Sequence, residues 1–344
     1  MRTATARHIP RWVWSLSAVA VLATVTLGVS IGAVNIAPLA VWSEISKQIF
    51  GSSANLSAAE STIIWQLRLP RVLLALVVGA MLASAGCAYQ GTFRNPLADP
   101  YLLGVSAGAG LGATIAIFYS NGQVRFLLPV AAFIGALVAV FLTYSLGRSA
   151  IAGRSSTALV LAGVAVASLL TAVQTLLQQQ NTDKIREVYS WVLGRLSTSG
   201  WSDLLIITPY VAICILVLLR YRRVLDVFAV GDEEAQTMGL PVGRARGAII
   251  VAASLGTAAA VSVTGLIGFV GIIVPHILRL IVGNSYRILL PLSVVYGGIF
   301  LVLADIFART VLAPQEISIG VVTALLGAPF FLFVLGSSKN GSIT

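Results

Sequence analysis

Charge is scarce in this chain. Asp, Glu, Lys and Arg make up 10% of its 344 residues, against 58% apolar residues. A water-soluble domain carries about 25% charge, so the deficit excludes an ordinary soluble protein. The length therefore does not imply two soluble domains. Histidine and cysteine are scarcer still, at two residues each. Cys87 and Cys214 lie inside apolar runs, which suits small core residues and excludes a disulfide framework. His8 is near the terminus, and His276 follows Pro275 close to Arg279 with no second ligand nearby, so it reads as a helix-end residue and not a metal ligand. HExxH and CxxC patterns are missing, and Lys47, Lys184 and Lys339 lack the glycines of a phosphate-binding loop. The expectation is a non-enzyme with no catalytic residue, no metal site and no cofactor bound by this chain.

Long apolar runs are what the chain does have. They fall at about 12–33, 71–92, 101–119, 126–147, 157–178, 201–220, 247–265, 267–282, 288–312 and 317–336. Each is near the ~20 residues that cross ~30 Å of hydrocarbon, the third and eighth being short. The fold class expected is an all-α integral membrane protein with ten transmembrane helices, in one transmembrane domain over 1–344. Residues 34–66 are amphipathic and polar, and 221–246 form a second polar segment. Ten crossings with the N-terminus inside put fourteen Lys and Arg and five acids on the inner side, leaving eight bases and seven acids outside. That bias predicts both termini in the cytoplasm.

The stretch from Leu67 to Gly112 organises the rest. Its apolar helix is stopped by Asn95-Pro96-Leu97-Ala98-Asp99-Pro100, because two prolines four residues apart cannot lie in one helix. The helix is expected to stop near Arg94 and a second to restart near Tyr101, with Gly104, Gly108 and Gly112 on one close-packing face. A similar order follows Leu240-Pro241: an apolar run, then Gly265, Gly268 and Gly271, then Pro275-His276 and Gly283. Helices 2–5, at about 68–182, and helices 7–10, at about 241–336, then read as inverted repeats, a transporter pattern.

Three charged places stand out. Arg68 and Arg71 flank Leu69-Pro70, and Arg309 sits with Asp305 at the same outer side. Lone arginines there would snorkel to headgroups. A group of them can instead dock the carboxylates of a soluble partner, whose geometry the guanidinium fork matches. On the inner side, Asp232 and Glu233 open a short helix that Gly239 ends and Pro241 stops, a docking element more than a plain loop. The fifth span ends in Gln178, Gln179, Gln180, Asn181 and Thr182, a polar end suited to a wet passage.

Six blocks together carry a resemblance: RLPRVLLALVVGAMLASAG (68–86), RNPLADPYLLGVSAGAGLG (94–112), AVGDEEAQTMGLP (229–241), TGLIGFVGIIVPHILRL (264–280), LADIFART (303–310) and ISIGVVTALLGAPFFLFVL (317–335). In order and content the chain resembles the permease subunits of type II ABC importers for iron-siderophores, haem and vitamin B12, the FecCD/BtuC-like family. The resemblance implies a ten-helix subunit of the cytoplasmic (inner) membrane. It also implies a homodimer working with two ATPase subunits, which carry ATP and Mg, and with a periplasmic or lipid-anchored substrate-binding protein. It places binding-protein docking at Arg68, Arg71 and Arg309. ATPase coupling falls at Gly231, Asp232, Glu233, Ala235, Gly239, Leu240 and Pro241. The translocation path and gate fall at Asn95, Leu97, Gln178, Gln179, Asn181 and Thr182. A ferric siderophore is the leading cargo, with cobalamin the runner-up. Haem is disfavoured because Met1, Met81, Met238 and His276 offer few ligands. An ion-coupled carrier acting alone would want buried acids in its spans, where only Asp305 comes close.

Overall fold

The computed structural model describes residues 10–51, 56–120, 124–149, 156–197 and 200–339, and these residues contain helices and turns but no strand. The helix α1 (Arg11–Ser30) is followed by α2 (Pro38–Phe50), α3 (Ala58–Thr62), one π-helical turn (Ile63–Arg68) and α4 (Leu69–Phe93). Next come α5 (Val105–Tyr119), α6 (Val124–Ser149), α7 (Ser156–Gln180), a 3-10 turn (Thr182–Lys184), α8 (Ile185–Val192) and α9 (Trp201–Phe228). The last helices are α10 (Asp232–Thr237), α11 (Val242–Thr264), α12 (Val270–Val282), α13 (Tyr286–Thr310) and α14 (Ile319–Lys339).

Seven helices, α1, α4, α6, α7, α9, α11 and α13, are long and apolar enough to cross a bilayer, α4 as the end of a continuous run from Ala58. The expected ten spans therefore divide into these and three shorter apolar helices, α5, α12 and α14. At 1.5 Å per residue, the 15 residues of α5 and the 13 of α12 reach only about 20 Å.

The central element is α4, buried along almost its whole length. It can be central because small residues let its neighbours approach. A Cβ at Gly79 would run into the backbone carbonyl of Gly297 on α13, and one at Gly86 into that of Gly271 on α12. Where lipid gives no hydrophobic push, such backbone-to-backbone contact supplies the packing energy. A second cluster gathers α5, α6 and α8 around Val105, Ala109, Ala132 and Trp191. There Gly108 and Gly112 lie against the α6 backbone at Gly135 and Ala131, as expected of that glycine face, whereas Gly104 sits ahead of α5 in a left-handed turn and makes no such close approach.

Several boundaries differ from the sequence reading. The helix ahead of the proline pair starts at Leu69, since Pro70 sits in the first turn, where its missing N–H costs nothing. Its end agrees with the expected stop near Arg94: the helix closes at Phe93, where Arg94 adopts a left-handed φ of 52°. The restart comes at Val105 and not Tyr101. Asp99 caps the Tyr101 amide at 2.8 Å and Gly104 turns at φ 79°, which delays the helix by a turn. The polar segment 221–246 shrinks to the stretch between α9 and α11, because Tyr221 to Phe228 meet no helix breaker before Gly231. Among the described residues of 34–66 most are helical, and the run from Ala58 passes through the π turn straight into α4.

Opposite ends of the bundle carry the charged groups. Arg68 and Arg309 meet at one end, where α4 begins and α13 finishes. Arg94, Asp232 and Arg246 meet at the other, where α4 finishes and α11 begins.

Candidate functional site

The first candidate surface is one face of α7. Ala167, Ser168, Thr171, Ala172, Thr175, Leu176 and Gln179 line an open groove of about 730 Å³. The hydroxyls recur at helical spacing, so one stripe of an otherwise apolar helix is polar and exposed. Thr175 donates its hydroxyl back to the Thr171 carbonyl at 2.9 Å, so it stays hydrogen-bonded in a dry setting. Of the polar residues expected along the passage, Gln179 lies in the groove wall. Gln178 is half-buried, Asn181 donates its amide to the Leu177 carbonyl at 3.2 Å, and Thr182 opens the 3-10 turn. Ser168, Thr171 and Thr175 were missed in the sequence, although their spacing of three and four residues is readable there.

The second candidate lies at the proline knot. Asn95 and Leu97 are both exposed, and the Asn95 carbonyl group of the side chain accepts the Leu97 amide at 2.9 Å. This self-capped turn is what Asn before Pro favours. The Tyr101 hydroxyl donates to the Ile267 carbonyl and accepts from the Ile267 amide, both at 3.0 Å, which ties the knot to the break between α11 and α12. Asp99 is partly buried, and burial pushes its carboxyl up to about 6, against the smaller downward pull of the Tyr101 amide.

Beside the knot, α10 is short and acidic. Gly231 precedes it, Ala235 is its buried anchor, and Asp232, Glu233 and Glu234 fill its first turn, where the helix dipole suits them. Gly239 closes it at φ 78°, and the Leu240 amide donates back to the Ala235 carbonyl at 3.1 Å. Pro241 then precedes α11. Asp232 has charged partners that the sequence did not reveal. Arg246 of α11 donates to both its oxygens at 2.8 and 2.9 Å while stacking over Phe228, and Arg94 of the knot comes within 3.7 Å.

The third candidate is the arginine cluster, and the fold does bring Arg68, Arg71 and Arg309 together around one cavity of about 330 Å³. They are not free rim charges, however. Arg68 is buried and donates to the backbone carbonyls of Val29, Ser30 and Val34. Arg309 is buried too, holding Asp305 at 3.1 Å and the Gly28 carbonyl at 2.9 Å. Arg71 donates Nε and Nη2 to Asp305 at 3.0 and 2.8 Å, and Nη1 to Glu316 at 2.9 Å. Asp305 is 1% exposed, whereas Glu316 is 49% exposed.

His276 stacks edge-on against Phe330, and the described residues hold no group of His, Cys, Asp and Glu that could bind a metal. Both cysteines are free and buried.

The model of the FecCD transport family matches residues 20–337. The cobalamin import system permease protein of Halobacterium salinarum is 46% identical over 274 residues, covering 79% of this chain and 73% of that one. A Bacillus subtilis ABC transporter permease protein, YvrB, is 40% identical over 322 residues, covering 92% and 91%. The hemin transport system permease protein of Yersinia pestis is 41% identical over 280 residues, covering 79% and 83%. Among solved structures, an inward-facing conformation of a metal-chelate type ABC transporter aligns with a TM-score of 0.83 at 28% identity, over 95% of this chain and 100% of that one.

Proposed function

The chain belongs to the FecCD transport family as a multi-pass ABC importer permease, not an enzyme, and on that premise we propose that its cargo is a ferric siderophore. The observation that carries this reading is the α7 groove. Its hydroxyl and amide lining suits a bulky chelate that presents neutral oxygens and amides. A haem path would gain more from imidazole or thioether ligands than from Ser168, Thr171 and Thr175. Cobalamin is the second reading, favoured by the 46%-identical relative named for its import. The cargo is tested by uptake into vesicles holding the full transporter, offering a ferric hydroxamate, cyanocobalamin and haem separately. Uptake of the ferric hydroxamate alone is expected. Uptake of cyanocobalamin alone would overturn the siderophore reading.

The remaining assignments belong to the same proposal. One bundle leaves the α7 groove open on one side, which supports a second copy of the chain closing the path. Asn95 and Leu97 form the inner gate, and Gln178, Gln179, Asn181 and Thr182 belong to the outer part of the path. The segment from Gly231 through Asp232, Glu233, Ala235, Gly239, Leu240 and Pro241 receives one of two ATPase subunits, where ATP and Mg bind. Arg68, Arg71 and Arg309 face the substrate-binding protein. Both termini lie in the cytoplasm and the membrane is the inner one. The chain is one transmembrane domain with inverted halves. The opposed directions of α4 and α11 support this, each being followed by a break and a short helix.

A further inference from the structure

The Arg71 guanidinium is shared by two unlike acids. Asp305 is sealed from solvent and occupies the Nε and Nη2 edge. Glu316 is half-exposed, and both of its oxygens sit on Nη1, at 3.0 and 2.9 Å. Glu316 belongs to the connection between α13 and α14, not to a helix. Arg71 and Glu316 both line two cavities. One, of about 330 Å³, contains Arg68 and Arg309, and the other, of about 200 Å³, contains Arg195, Ser190 and Ser318.

We propose that Glu316 is an internal stand-in for a carboxylate of the docking protein, and that docking proceeds by exchange of one carboxylate for the other on Arg71 Nη1. This rests on the reading of the arginine cluster as the docking face. The physical need is clear. A guanidinium that is 14% exposed would be costly to leave half-unpaired between docking events. The stand-in keeps Arg71 paired in the free permease, and the exchange leaves the net charge at Arg71 unchanged. Glu316 is the half-exposed partner, so water can take over its oxygens and it is the acid that can be displaced. Asp305 is buried and held by both Arg71 and Arg309, so it stays. The incoming group is therefore a flexible Glu or Asp on the rim of a soluble protein, entering beside Pro314 and Ser197. Arg68 adds positive potential without giving up its own backbone partners.

The sign of one substitution separates this from simple charge attraction. Glu316→Gln keeps the shape and removes the competitor, so the cargo-loaded binding protein of the same transport system should bind the reconstituted transporter about two- to fivefold more tightly. Arg71→Gln should weaken binding more than tenfold. Melting of each purified variant checks the fold, and Glu316→Asp, whose shorter arm still carries the charge, should bind between wild type and Glu316→Gln. If Arg71→Gln weakens binding while Glu316→Gln leaves it unchanged or weakens it, the stand-in role is overturned and the docking face stands. If neither variant changes binding, the docking face itself is wrong.

Discussion

Replacing Asp305 by asparagine tests whether the arginine cluster is a buried ion network. Asp305 is sealed at 1% exposure and takes Arg71 at 2.8 Å and Arg309 at 3.1 Å. Asparagine keeps the volume but removes the charge and half the accepting capacity. Two largely buried guanidiniums then face each other with Glu316 as the remaining acid. Breaking a buried pair by removing one partner costs about 3–5 kcal/mol, mostly from the uncompensated charge left behind. For a chain of this size that is a fall in melting temperature of roughly 4–7 °C. Glu316→Gln removes an acid of equal charge from the same arginine but at the surface, where a pair is worth about 1 kcal/mol or less. The assay is thermal unfolding of detergent-purified protein, followed by tryptophan fluorescence, for both variants at two salt concentrations. The Asp305 variant should stay destabilised at high salt, because buried charges are poorly screened. Equal melting of the two variants, or an Asp305→Asn protein within a degree or two of wild type, would refute the buried network.

Gly239→Pro should leave the chain inserted but uncouple ATP hydrolysis from transport, because proline cannot adopt φ 78° and loses the amide that bonds Gln236; vesicle uptake per ATP hydrolysed reads it. Gly86→Val should abolish folded protein in size-exclusion chromatography, since a side chain there meets the Gly271 backbone. Asp99 has a folded value of about 6 against 3.8 for the free group, so the native state binds more protons between those values and stability falls as pH rises through that window. Asp99→Asn should therefore flatten the difference in melting between pH 4 and pH 7 and be more stable than the wild type at neutral pH. Thr171→Trp should block the α7 groove and lower uptake several-fold with ATP hydrolysis retained.

What the sequence made legible was whatever a local rule controls. The paired prolines at 96 and 100 announced the end of α4, and Gly239 with Pro241 announced the end of α10. Long-range pairing was not legible. Arg71 lies 234 residues from Asp305 and 245 from Glu316, so three charges that read as an open rim become an almost satisfied cluster once α13 crosses α4. Asp232 likewise read as a helix-end acid, and only folding brings Arg94 and Arg246 to it. The hydroxyl stripe of α7 was hidden because Ser168, Thr171 and Thr175 are few among strongly apolar neighbours, so the window average masks a one-sided feature.

The burial of α4 also bears on how the chain is made. Its close partners are α9, α11, α12 and α13, none of which exists when α4 leaves the ribosome. At about 5–20 residues per second, the stretch from Phe93 to the end of α13 at Thr310 takes roughly 10–40 s to synthesise. During that time, α4 stands in lipid with Gly79 and Gly86 uncovered, offering small-residue faces to any passing helix. An insertion chaperone or a surveillance protease acting on this chain would meet it there. Slowing synthesis after α4 would lengthen that exposure, whereas slowing it after α13 would not.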